Sequence, residues 1–310
     1  MRIKVLGSAA GGGFPQWNCS CSNCERLRKG VFKGQARTQA QVAISPGISN
    51  WFLLNASPDL RQQLSEDPEF SPREKTRSTP VAAIFLTSAV VDCVLGLLHL
   101  REFQPLRIYS TLSVRRALIE ENTLFRILER SNPPVRWEIL PFDQMIPISE
   151  HATEEASGSL ACKAVSLGGN FPDYVSDKLR QTLKGEEAVI GLYFIQNQNR
   201  FFYAPALSGH GENWKRCISE SDLALLDGTF WSDDELVKIH GSGKTARNMG
   251  HLPLSGAGGL LEQLQLNGNT RRVLIHLNNT NPALDPESSA HRAVREAGCE
   301  IAHDGMEFKL

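Results

Sequence analysis

The 310-residue sequence predicts an α/β protein in which helices cover β-sheets. Three observations predict it. Strand-like segments arrive in runs with helix-like segments between the runs, which fits layered sheets better than a helical bundle. The stretch "VAAIFL" at 81–86 is a continuous apolar run, as expected of a strand covered on both faces. Hydrophobic residues make up 41% of the chain and charged residues 22%, which is enough apolar material for a core.

Element by element, the chain opens with a short alternating strand through Ile3, Val5 and Leu6, turning at Gly7. "TQAQVAIS" and "WFLLNASPDL" read as two strands joined by a turn at Pro46-Gly47. Leu60 to Leu64 suggests a brief helix, and the charged, proline-punctuated segment 66–80 a surface loop. After the strand at 81–86 come polar Thr87 and Ser88, then Val94, Leu97, Leu98 and Leu100 at helical spacing. "LRIYS" restarts a strand, and Ser113 is placed to cap a helix running to about Glu129, stopped by Ser-Asn-Pro-Pro. "LACKAVSL", "AVIGLYFIQ" and "RFFYAPAL" predict three strands. The connection from Gly168 to Glu187 is long enough to serve as a lid or binding loop. "DLALLDGTFW" predicts a buried strand ending in Asp227, "SGAGGLLEQLQ" a helix, and "RRVLIHLNNTNP" a strand with His276 near its end. A helix over 286–298 and a last strand, "CEIAHDGMEFKL", complete the chain.

The bulk numbers exclude several classes. A formal net charge of −1 gives no reason to expect nucleic acid or an anionic surface as partner. No apolar run approaches the roughly 20 residues of a membrane helix, and no signal peptide is visible. Seven cysteines, an odd number, in a chain without an export signal point to a reducing, cytoplasmic setting rather than a disulfide framework. Length alone allows one large domain or two small ones.

Two glycine-rich stretches are decoys. "GSAAGGG" lacks the G-x-G-x-x-G spacing that opens directly into a helix, because Phe14-Pro15 follows the glycines. Its small residues are expected to let the loop lie against neighbouring backbone. "GSGKT" at 241–245 has Lys238 where a phosphate-binding loop needs its first glycine, so a turn is expected.

Chemistry is concentrated in two places. Cys19, Cys21 and Cys24 form C-x-C-x-x-C, and thiolates this close are natural ligands of a tetrahedral, structural zinc. Asn279, His303 and Asp304 are candidates for the fourth ligand, beside water or a partner chain. Asp92, Asp227, His251 and His276 stand at or near strand ends, where loops gather, and carboxylate with imidazole suits zinc, manganese or iron. Each also has a plainer role: Asp92 as a helix cap, Asp227 as organiser of the turn with Thr229, His251 packed under a loop, and His276 as a satisfied core histidine.

The stretches "VLGSAAGGGFPQWNCSCSNC", "ARTQ", "NASPDLR", "GLLHLRE", "FYAPAL", "LDGTFWSDDE", "MGHLP", "IHLNNTNP" and "DGMEF" together resemble the pyrroloquinoline quinone (PQQ) biosynthesis protein B family (PqqB), a branch of the metallo-β-lactamase superfamily. The resemblance covers nearly the whole chain. It implies a single metallo-β-lactamase-like domain over 1–310, a four-layer αββα sandwich, a structural zinc on the three cysteines, and a homodimer. The superfamily's H-x-H-x-D-H loop falls on Ser88, Val90, Asp92 and Cys93. The PqqB branch lacks the first two histidines but keeps the final Asp-His pair, so Cys93 is a departure. His276 matches the superfamily's last metal histidine, Asp227 its bridging carboxylate and His251 a histidine of the active-site loop.

The resemblance further implies an iron-dependent hydroxylase that uses O₂ on a tyrosine-containing, peptide-derived precursor, with Asp92, His276 and position 93 as the Fe(II) ligands. The alternatives are a carrier moving the quinone or its precursor towards the periplasm, and a divergent metal-dependent hydrolase. A thiolate is softer than imidazole and itself oxidisable. Cys93 therefore leaves three outcomes: it ligates an altered site, His251 takes the missing place, or the chain is a non-catalytic relative. A plain buried residue opening the helix is the bland reading of Cys93.

Overall fold

A computed structural model of the chain describes residues 1–47, 50–72, 78–101, 106–130, 135–148, 160–209, 211–241, 243–264 and 269–310. Its strands are β1 (Arg2–Gly7), β2 (Gln41–Ser45), β3 (Trp51–Leu54), β4 (Val81–Phe85), β5 (Arg107–Ser110), β6 (Arg136–Ile139), β7 (Ile146–Pro147), β8 (Leu160–Ser166), β9 (Ile190–Gln196), β10 (Asn199–Ala204), β11 (Leu223–Asp227), β12 (Arg271–Ile275), β13 (Cys299–Ile301) and β14 (Glu307–Lys309). Its helices are α1 (Ser22–Arg28), α2 (Leu60–Glu66), α3 (Val91–Val94), α4 (Leu112–Ile119), α5 (Asp177–Arg180), α6 (Asn213–Ser219), α7 (Glu235–His240), α8 (Leu260–Gln263) and α9 (Ser289–Glu296).

The strands form two seven-stranded sheets, ordered β14-β1-β2-β3-β4-β5-β6 and β13-β12-β11-β10-β9-β8-β7. In the first, the pairs from β14 to β3 are antiparallel and those from β3 to β6 parallel. The second repeats the pattern: antiparallel from β7 to β10, then parallel from β10 to β13. Topology thus relates two halves whose sequences match too weakly to show it. One core lies between the sheets, with Val42, Phe52, Leu54 and Phe85 meeting Leu192, Phe194, Phe201 and Val273. Phe85 crosses the interface edge-to-face on Phe194, ring centroids 5.3 Å apart. Apolar clusters on the outer faces pack one sheet against α2, α3 and α4 and the other against α6, α8 and α9. These layers make the αββα sandwich. No helix among the described residues is long and apolar enough to cross a membrane.

Several local expectations need correction. The helix over 113–129 starts earlier and is shorter: Thr111, not Ser113, caps it, accepting from Val114 N at 3.2 Å. It ends at Ile119, and a 3₁₀ segment follows at Phe125–Arg130 after the polar run 120–123. The helix after β4 is α3, continuing as a 3₁₀ segment over Leu95–Leu100. The segment packs closely on the loop after β3: a Cβ at Gly96 would stand 2.3 Å from Ser57 O, so only glycine fits there. Asp92 lies inside α3 rather than capping it, Val90 being the N-cap. The last strand is two strands in different sheets, parted at Gly305 (φ 83°). Helix α1, α6 and α7 and strands β6 and β7 had no sequence signal strong enough to name them. The stop at Ser-Asn-Pro-Pro, residues 48–49 after the predicted Pro-Gly turn, parts of the loop at 66–80, residues 102–103 and Gln265 lie outside the described residues.

Both decoys behave as expected. Ala9 bridges Gln39 on one side and Leu277 on the other, so the glycine loop lies flat on backbone. At "GSGKT" the chain leaves α7 through Gly241, in the left-handed region at φ 73°, and Ser242 lies outside the described residues.

Candidate metal centres

The parallel strands β4, β11 and β12 end on the same side: Asp227 closes β11, His276 follows β12, and Asp92 sits in α3 after β4. Such carboxyl-terminal strand ends are where open α/β sheets gather ligands. His251 comes from the loop between α7 and α8. Asp227, His251 and His276 each offer a ligand atom within 4.8 Å of the others.

Hydrogen bonds sort this group into two ranks. Asp227, fully buried, accepts from Leu207 N (2.8 Å) and His251 Nδ1 (2.8 Å) on Oδ2, and from Thr229 N (2.9 Å) and Thr229 Oγ1 (2.6 Å) on Oδ1. Those four bonds take up its lone-pair sites. Thr229 gives its single O–H to Asp227, so across the 2.8 Å contact His276 Nδ1 must donate to Thr229. Both imidazoles are thereby fixed in the tautomer that leaves Nε2 a bare lone pair. Their rings stack at 5.5 Å between centroids and 20° between planes.

The Nε2 of His276 then faces Asp92 Oδ2 at 2.9 Å. Two acceptors at that distance need a proton or a metal ion to satisfy both. Burial would push the Asp92 carboxyl up, but His276 and His251 opposite hold it below the ordinary carboxylate range. Burial alone would lower His251, and the Asp227 charge outweighs it and raises the imidazole above its usual value. His276 sits at φ 64°, a left-handed backbone that costs a β-carbon-bearing residue about 1–3 kcal/mol. Ladder-like bonds on both sides hold it there: Gly228 N to Ile275 O, Leu277 N to Ser8 O and Asn278 N to Thr229 O. The donor set of two imidazoles and a carboxylate fits a divalent ion.

Cys93 stands apart from this group. It is buried, 3.8 Å from Thr87 Oγ1, and burial followed by the Asp92 charge pushes its thiol up to about 12. Ser88 forms a bridge to Val189, and Val90 caps α3, so neither position supplies an imidazole.

Cys19, Cys21 and Cys24 bring their sulfurs within 4.8 Å of one another at the start of α1. Asn279 Nδ2 lies 3.1, 3.6 and 3.3 Å from the three sulfurs. It caps the triangle where a fourth tetrahedral ligand belongs, and turning the amide over puts its oxygen there. The other two candidates go elsewhere: Asp304 accepts from Ser8 Oγ, Thr38 N and Thr38 Oγ1, and His303 is exposed. Burial and the two neighbouring sulfurs push Cys21 up to about 12, while donors from Cys21 and Asn279 bring Cys19 below the thiol range despite its burial. Three coexisting thiolates need a cation, which fits zinc.

The two clusters are neighbours. Asp92, His251 and His276 line a cavity of ≈ 690 Å³ that also touches Cys19 and Cys21, and a second one of ≈ 430 Å³ on the side of Lys244 and Phe171. The segment from His276 to Asn281 serves both sites, and Glu235 ties it to the loop after β11. Glu235 accepts from Trp231 N at 2.6 Å and Thr280 Oγ1 at 2.5 Å, and burial raises its carboxyl to about 7. Sequence reasoning placed Thr229 in the turn with Asp227 but not its contact with His276, and it missed Glu235, whose only hint was its place in "LDGTFWSDDE". Of the predicted lid, Phe171 lines the smaller cavity, whereas Tyr174 turns away and bonds Ala89 O.

A family model described as a beta-lactamase superfamily domain matches residues 50–277. Coenzyme PQQ synthesis protein B of Azoarcus sp. (strain BH72) is 41% identical over 312 residues, covering 100% of both chains. The protein of the same name from Nitrosococcus oceani is 41% identical over 311 residues, again with 100% of each covered. Among solved structures, Zn²⁺-bound PqqB from Methylobacterium extorquens superposes with a TM-score of 0.89 at 34% identity over 100% of both chains. A diphosphatase of the PhnP family reaches 0.65 at 15% identity over 100% of this chain and 97% of that one, a likeness of fold alone.

Proposed function

The chain belongs to the coenzyme PQQ synthesis protein B family of the β-lactamase superfamily, and from that premise we propose that it is an iron-dependent hydroxylase of PQQ biosynthesis. Its substrate in this reading is a tyrosine-derived peptide precursor. The observation that carries the reading is the Asp92 carboxylate 2.9 Å from the Nε2 of His276, with the His251 ring stacked on His276 and all three residues lining one cavity. Two histidines and one carboxylate are the donor set of non-haem Fe(II) sites that use O₂. His251 takes the place that Cys93 leaves open, and zinc occupies Cys19, Cys21, Cys24 and Asn279.

Iron bound there supplies the dioxygen chemistry. The chain's own residues do the rest. Asp227 and Thr229 hold both rings in the ligating tautomer. Asp92 supplies the negative charge opposite them. Phe171, Pro172 and Val189 give the smaller cavity an apolar wall. The balance is an aromatic C–H plus O₂, two electrons and two protons going to C–OH and water, with both electrons and both protons from a reductant of the ascorbate or thiol class.

The test is anaerobic Fe(II) titration of zinc-replete protein, followed by ¹⁸O₂ and ascorbate with a tyrosine-containing peptide. One iron per chain and one labelled oxygen in the ring are expected. A chain that keeps its zinc and takes up no iron overturns the reading. Binding of the quinone without turnover would instead support the carrier, which the preformed ≈ 430 Å³ cavity also suits.

A further inference from the structure

The "GSGKT" turn, which contains no phosphate-binding loop, is nonetheless part of the cavity wall. Lys244 lines the ≈ 430 Å³ cavity together with Asp92 and His276, and it is exposed. Among the described residues it has no hydrogen-bond or ion-pair partner. The other cationic side chain lining the cavity, Arg180, is spent on its own loop, donating to Phe171 O (3.1 Å), Pro172 O (3.2 Å) and Val175 O (3.2 Å). Lys244 is the free positive charge there.

The backbone just after it is anchored beside the Asp/His group. Two residues on, Ala246 is buried and its N–H bonds Asp233 O at 2.8 Å; Arg247 N bonds Asp233 Oδ1 at 2.9 Å. The same turn closes with His251 N on Ala246 O at 3.0 Å. One anchored loop therefore presents both an imidazole for the ion and an ammonium for something else. The remaining lining is mixed: Phe171, Pro172, Val189, Pro205, Ala206 and Met249 form an apolar wall, beside polar residues such as Asn170, Asp173 and Asn248. A cavity with an apolar wall, the Asp92 and His276 pair at one place and an unpaired ammonium at another suits an aromatic ring carrying an anionic tail.

We propose that Lys244 is a specificity-determining residue that binds a carboxylate of the substrate, directing the ring of the same molecule towards Asp92 and His276. The inference deepens the hydroxylase reading and rests on its placing the substrate in this cavity. The charge-assisted bond is what distinguishes a carboxylate from its neutral amide.

The test uses zinc-replete, full-length protein and two probes of equal shape, 3-(4-hydroxyphenyl)propionate and its primary amide, by calorimetry. The wild type is expected to bind the acid about tenfold more tightly than the amide. Lys244→Gln should reduce acid affinity to that of the amide and leave the amide unchanged, and Lys244→Arg should keep the preference. Equal binding of acid and amide by the wild type, or an unaltered preference in Lys244→Gln, overturns the proposal. So does binding of neither probe. Asp173, an acidic residue that also lines the cavity, gives a further control. If Lys244 merely latches onto Asp173, Lys244→Gln and Asp173→Asn would weaken both probes equally, which also overturns it. Iron uptake is scored separately: a protein that takes no Fe(II) but prefers the acid defeats the hydroxylase reading and keeps Lys244, and the converse defeats Lys244 alone.

Discussion

The cysteine site and the Asp/His site are built in opposite ways from the same cavity wall. Three of the four groups at the first come from six consecutive residues, 19–24, on the approach to one helix. The second draws on residues 92, 227, 251 and 276, each brought in by a different strand end or loop, with Thr229 between two of them. The first needs a local turn; the second needs both sheets correctly stacked. The difference teaches where each should fail. A clasp made locally fails through its ligands, and a group made by tertiary structure fails through the bonds that orient it.

The largest expected effect breaks the clasp. Cys24→Ala should abolish zinc in metal analysis and cost about 5 kcal/mol in chemical denaturation, because a bound structural metal contributes directly to folding. Next, Asp227→Asn replaces an acceptor of four hydrogen bonds with a group that must donate on one side. A loss of about 4 kcal/mol is expected, with zinc retained and Fe(II) uptake lost. If iron binding survives that change, Asp227 does not orient the rings.

Glu235, between the two sites, sharpens the comparison through pH. Its folded value is raised from 4.5 to about 7, so the folded state holds the proton more tightly than the unfolded one. The stabilisation is complete below pH 4.5 and is lost as pH rises through 7, a swing of about 3 kcal/mol. Glu235→Gln should remove that slope, seen as a smaller stability difference between pH 5 and pH 8 than in the wild type. The smallest effect is expected at Cys93→His. An imidazole in a buried thiol site overpacks it by about 2 kcal/mol, and iron per chain should stay the same if, as proposed, His251 fills the place. A rise in metal content on that substitution would show the opposite.

The contrast also explains what the sequence made legible. Most central strands stand out because apolar runs such as Val81–Phe85 and Leu223–Asp227 are buried on both faces and cannot be anything else. Strand β6 escaped because "RWEI" at the sheet edge is half exposed and charged. Helix α7, six residues long, has too few turns to show a period. The final strand misled because nothing local says that the chain changes sheets at Gly305. The cysteines declared themselves by spacing, and Asn279 was one of three candidates until the structure put it on the sulfurs. The tautomer-fixing chain from Asp227 through Thr229 to His276 joins positions up to 49 apart, and only folding reveals such a bond.

His276 and Asn279 lie three residues apart on one stretch of chain after β12. A single residue inserted between them would put one of the two out of phase with its partners, whichever the backbone chose to keep. The two centres therefore cannot be retuned one at a time by changing the length of that link, and the "HLNN" spacing is a shared gauge for both.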